Sequence, residues 1–167
     1  MPCGQSRETA KRSELAGWAT YGWCASHSRY FWGLRLYLLC AADGMPVYFC
    51  LAPANEPERE VAAAMLERAR EARLLAGGEV IVTDKGFAGR EFEAIVASLH
   101  ATLVRPDRKD EPPKHGTLGH IRQWIESICQ TAKSQLSLEL HGGHIPEGVW
   151  VRVCQRPLAL ATGVWHS

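Results

Sequence analysis

The chain has 167 residues, 46% hydrophobic and 22% charged, with a formal net charge of +1; that size and balance fit one domain with a sizeable core. Arg35 breaks the apolar run Phe31–Cys40 short of a membrane span, and Met1–Arg7 lacks the apolar core of a secretory signal, so cytoplasmic residence is expected. The near-neutral charge argues against a broad phosphate-binding surface, and six cysteines without Cys-x-x-Cys spacing argue against a zinc knuckle.

In chain order, residues 1–28 are polar and read as an irregular arm with one short helix around Glu8–Ala16. Residues 29–167 then supply the sheet and helices of a single domain. Tyr30, Trp32, Leu34, Leu36 and Leu38 alternate with smaller or charged residues, the period of a strand. Asp43-Gly44 is a turn signal, and Pro46–Leu51 reads as the returning strand of a hairpin. Val61, Met65, Ala69 and Ala72 recur at helical spacing within Glu58–Leu75, which Gly77-Gly78 should end. A short strand over Glu79–Thr83 leads into Asp84, and Arg90–His100 is a second helix with Phe92, Ile95, Val96 and Leu99 facing inward. Thr102–Val104 is a strand, 106–119 a charged and proline-rich loop, and His120–Leu140 a third helix. Pro146 can open a last helix, which Pro157 should kink or end early. A hairpin followed by alternating helices and strands implies an α/β fold, with helices on the faces of one mixed sheet.

Chemistry concentrates at two places. Asp84 stands at a strand tip, and Arg122, Glu126 and Lys133 fall near one edge of the apolar stripe Ile121, Ile125, Ile128, Ala132 and Leu136, at about 100°, 140° and 120° from Ile121 on an ideal helix. Carboxylates from a strand tip and a distant helix are suited to magnesium, with neighbouring cations free to hold phosphate oxygens. Plainer readings stand beside this one: Asp84 as a turn former, and Arg122–Glu126 as an exposed i, i+4 pair. Arg105, Arg108 and Lys109 form a local basic cluster diluted by Asp107, Asp110 and Glu111.

Ile81-Val82-Thr83-Asp84-Lys85-Gly86-Phe87 resembles the second-aspartate motif of bacterial insertion-sequence DDE transposases, and Arg122-x3-Glu126-x6-Lys133 resembles their third-acid signature. Gly119 stands where that signature often carries tyrosine. Tyr30–Leu36 is similar to the strand that follows the first aspartate, and Leu51–Arg59 to the loop entering the next helix. The resemblance implies an RNase H-like catalytic domain that cuts and joins DNA with two Mg2+ (or Mn2+) ions. It implies Asp84 and Glu126 as the second and third catalytic, metal-binding acids. It also implies DNA contacts from Arg122 and Lys133, with Lys85, Arg105, Arg108 and Lys109 as further candidates. The first aspartate of that pattern, and the central strand carrying it, would precede Met1, and Asp43 lies in a hairpin turn at the wrong end of its strand. A C-terminal fragment inactive on its own is therefore expected, partnered by transposon-end and target DNA and by further copies or full-length transposase, and nucleoid-associated. Two alternatives remain: a non-catalytic remnant that binds DNA or a sister transposase, and an RNase H-like nuclease or resolvase that recruits Glu8 or Glu14 as a substitute acid.

Other residues carry weaker signals. His141 and His144 flank a glycine turn without a third ligand in reach. Trp32 and Trp124 fall in or beside apolar stripes and are expected in the core, as are Cys40, Cys50 and Cys129. Trp18 and Trp23, in the polar arm, are candidates for stacking on a base.

Overall fold

The computed structural model describes residues 7–24, 28–107, 109, 112, 114, 118–138 and 142–166. In chain order these form α1 (Arg7–Arg12), β1 (Thr20–Cys24), β2 (Arg29–Cys40), β3 (Pro46–Pro53), α2 (Glu58–Glu71), β4 (Val80–Val82), α3 (Arg90–Ser98), β5 (Thr102–Val104), α4 (Gly119–Gln130) and α5 (Pro146–Trp165). The fold is mixed α/β, with one antiparallel and one parallel sheet. The chain divides into two compact units, Met1–Glu56 with Ile128–Ser167, and Pro57–Ser127.

In the first unit β2 is the shared strand. Its N-terminal half pairs with β1 (Thr20 opposite Gly33, Cys24 opposite Arg29) and its C-terminal half with β3 (Leu34 opposite Pro53, Leu39 opposite Tyr48). The β2–β3 turn forms as its Asp-Gly pair suggests: Asp43 Oδ1 accepts from the Met45 N–H at 2.9 Å, and Gly44 takes the left-handed φ of 89°. Near Gly33 the two partners of β2 meet. There Gly22 lies so close to Ala54 that a Cβ would run into the Ala54 carbonyl, and Thr20 Oγ1 donates to Asn55 Oδ1 at 2.7 Å. Trp32 and Leu34 join Ala10, Ala19, Val149 and Val153 in the core, flanked by Leu15, Trp18, Leu36, Leu51 and Leu138. Helix α5 packs on β3, with the Phe49 and Trp150 rings 5.7 Å apart.

The second unit is built on a strand–helix–strand connection, which makes β4 and β5 parallel (Val80 opposite Thr102, Val82 opposite Val104). Helix α3 packs on α2 and β5, burying Phe92 and Val96 against an interior that includes Ala63, Met65, Leu66, Ala69 and Ile81. Arg73 (φ 59°) and His100 (φ 59°) end α2 and α3 in left-handed conformation, with the Leu74 N–H returning to the Ala69 carbonyl and the Ala101 N–H to the Val96 carbonyl.

Several expectations are corrected. The polar arm contains a strand, β1, which its glycines and scattered polar residues concealed. Tyr30 is exposed while Phe31 is buried, so strict alternation fails at the start of β2, where the strand runs past the core. The strands form two sheets rather than one mixed sheet, because no strand among the described residues pairs with both. Helix α2 stops at Glu71, ended by Arg73 and not by the later glycines, and Ala72 is exposed. Glu79 belongs to the loop before β4, its carboxylate accepting from the Ala76 and Gly77 N–H groups. Helix α4 gives way at Gln130 to a π turn over Thr131–Gln135. Helix α5 continues through Pro157 to Trp165; the proline ring is buried, and the Arg156 guanidinium donates to the Arg152 carbonyl at 2.7 Å near the interrupted turn. Cys129 is exposed and Cys40 and Cys50 are half-buried. Among the described residues no helix is long and apolar enough to cross a membrane.

Candidate active site

Asp84 is positioned by β4. The Thr83 N–H donates to the Val104 carbonyl at 3.0 Å, extending the parallel pairing by one residue, so Asp84 and Arg105 leave the two strands from the same end. Carboxyl ends of parallel strands are where α/β folds gather functional groups. Asp84 itself is extended and caps a 3-10 turn over Lys85–Phe87, its Oδ1 accepting from the Gly86 N–H. Phe87 packs 5.4 Å from Phe92, which pins that turn to the first turn of α3. The turn-forming reading of Asp84 is thus correct, and it is compatible with a second role, since Asp84 and Lys85 are both exposed and Oδ2 is not part of the cap.

Glu126 lies on α4 in the same unit and is exposed. The stripe expected beside it is only partly buried: Ile121, Trp124 and Ile128 are half-buried, and Ile125 is 38% exposed. Arg122 lies one turn before Glu126; its side chain is outside the described residues. Lys133 belongs to the first unit, is exposed, and sits in the π turn, where the Leu136 N–H reaches the Thr131 carbonyl at 3.1 Å. A π turn advances less per residue than an α-helix, so the ideal wheel does not hold past Gln130.

The remaining cations separate. Arg105 is paired with Glu93 on α3 at 3.5 Å, with its side chain 15% exposed, so its guanidinium is held within the second unit. Lys109 is exposed, and Arg108 lies outside the described residues. Asp107 Oδ2 accepts from the Lys114 N–H at 2.9 Å, which draws the loop after β5 back on itself.

Asp84 and Glu126 are hard oxygen donors of the kind magnesium takes. Among the described residues, however, no three acidic, histidine or cysteine side chains are grouped to hold a cation. Asp43 is engaged in its own turn in the first unit. Among the described residues the donor set is therefore short of a complete two-ion site.

Trp23 has an aromatic partner that the local sequence does not reveal. Trp23 and Tyr30 face each other across β1 and β2 with ring centroids 4.9 Å apart and planes at 66°. The register could not be known from sequence, because β1 itself was not evident. Trp18, the other tryptophan of the arm, packs against the core.

Residues 4–155 match the family model described as "Transposase DDE domain". No curated protein and no solved structure matches.

Proposed function

This chain belongs to the transposase DDE-domain family, and from that premise we propose that it is an RNase H-like catalytic domain of DNA transposition, with Asp84 and Glu126 as two of its acids. The observation that carries this reading is Asp84 at the carboxyl end of β4, exposed, in the same unit as an exposed Glu126 and within the span that the family model covers. DNA is the partner that the family implies. Enzymes of this class generally use divalent metal, which would activate a water or 3′-hydroxyl and stabilise the leaving oxygen.

What these residues do follows from their chemistry. The Asp84 cap holds one carboxylate oxygen against backbone and fixes the direction of the other. Arg122 and Lys133 contact phosphates, and Lys85, beside Asp84, and Lys109 add cationic charge; Arg105 is left to its pair with Glu93. With two acids, residues 1–167 bind DNA and do not cleave it by themselves.

The test uses purified residues 1–167 with a labelled duplex in Mg2+ and in Mn2+. Expected are no cleavage product and salt-dependent binding, its log K against log salt slope falling by about 0.9 for each of Arg122→Ala and Lys133→Ala. Cleavage that disappears in Asp84→Ala would overturn the inactivity. An unchanged slope in both cation variants would overturn the DNA contacts.

A further inference from the structure

We propose that Arg59 is a positioning residue for Asp84: its guanidinium fixes the far end of the Asp84–Gly89 segment and so steadies the carboxylate at the tip of β4, an assignment that rests on the role given to Asp84 above. The segment, Asp-Lys-Gly-Phe-Ala-Gly, joins β4 to α3 and lies with Arg59 in the second unit. Two glycines in six residues leave such a link few constraints of its own.

Three ties hold it. At the near end the Asp84 side chain accepts from the Gly86 N–H, and the Asp84 carbonyl accepts from the Phe87 N–H at 3.2 Å. In the middle Phe87 packs on Phe92. At the far end Ala88 closes the 3-10 turn and is 6% exposed. The ladder of α3 begins one residue later, where the Gly89 carbonyl accepts from the Glu93 N–H at 3.0 Å, so the Ala88 carbonyl has no place in it. A carbonyl on a buried residue needs a donor from elsewhere. Arg59 Nη1 supplies it at 2.9 Å.

Two further features mark this as a dedicated contact. Arg59 stands in the first turn of α2 between Glu58 and Glu60, where the helix dipole favours acids and disfavours a cation. Its guanidinium also occupies the space beside Gly89 that a side chain would need: a Cβ there would lie 2.5 Å from Nη1 and 3.6 Å from Cζ. The anchor itself is firm, because α2 buries Ala62, Ala63, Met65, Leu66 and Ala69 and packs on α3. Arg59 thus ties the segment that carries Asp84 to a seated helix. Without that tie the turn can reorient, and small displacements of a reacting group are costly to rate.

The experiment follows the Gly86 amide, the reporter of the Asp84 cap, by NMR on labelled residues 1–167 without DNA or metal. Asp84→Ala supplies its uncapped position. Arg59→Ala should speed exchange of the Gly86 N–H with water about 5- to 30-fold and move its resonance toward the uncapped position. Gly89→Ala should do the same by displacing the guanidinium, and the double variant should exchange no faster than either single one. Arg59→Lys, which keeps a donor, should restore slow exchange. Gly22→Ala, which perturbs the other unit, should leave Gly86 unchanged. Equal exchange in wild type and Arg59→Ala would overturn the assignment. So would acceleration by Gly22→Ala to the same extent, which would reduce Arg59 to general stability. No DNA enters the measurement, so its outcome is separate from the duplex assays that judge Asp84 as a catalytic acid.

Discussion

Cys40 and Cys129 illustrate how surroundings decide the chemistry of a single residue type. Burial, then Cys129 and Asp43 nearby, push the Cys40 thiol up to about 11, and burial alone raises Cys50. Both are protonated at neutral pH, and the thiolate is the nucleophile. Exposed Cys129 should therefore alkylate first: at pH 8, limiting iodoacetamide followed by peptide mass spectrometry should find Cys129 modified well before Cys40 or Cys50. Glu79 shows the opposite shift. Its carboxylate is held below the usual value of 4.5, first by the Ala76 N–H, then by its own backbone N–H and that of Gly77, with Arg70 adding attraction. A depressed carboxylate stabilises the fold above about pH 4.5, and that contribution is lost as pH falls through the lowered value. Melting temperatures of wild type and Glu79→Gln should accordingly differ at pH 7 and converge as pH falls through that lowered value. The group is fully exposed, so the difference will be small.

At the scale of elements, Gly22 is where two strands depend on one missing side chain. A methyl group there meets the Ala54 backbone, which cannot rotate away as a side chain would. Gly22→Ala should destabilise the protein by about 1–3 kcal/mol, read from urea denaturation; an unchanged midpoint would mean that β1 is not seated as described. Most elements were legible because their periodicity is local: β3 with its Asp43-Gly44 turn, α2, α3 and β5 fall close to where spacing puts them. The misses have physical causes. Strand β1 is short, glycine-bearing and polar at its start, so its identity comes from pairing with β2, which is not local information. Pro157 argued for an end to α5, yet burial of its ring, with Val153 and Val149 one and two turns earlier on the same helix, offsets the lost hydrogen bond. The π turn after Gln130 has no signature in composition at all.

For the whole molecule, family membership was legible from the Asp84 and Arg122–Glu126–Lys133 motifs and their order, and the family match covers both. The partition of the candidate site was not. Sequence put Arg122, Glu126 and Lys133 on one helix edge, but Lys133 belongs to the first unit and Glu126 to the second. Likewise Arg105 stands among basic neighbours in sequence, but in space it pairs with Glu93, twelve residues earlier in the chain (105 − 93) and on a different element. Chain connectivity has one more effect, and it concerns time. The three strands of the antiparallel sheet are complete by Pro53, whereas Val149 and Val153, which close the core over Trp32 and Leu34, come from a helix that starts at Pro146. At synthesis rates of roughly 5–20 residues per second, the ribosome takes roughly 5–20 s to produce the intervening chain. During that interval the nascent sheet displays Trp32 and Leu34 to the cell without their covering helix, which makes early strand segments natural clients for chaperones.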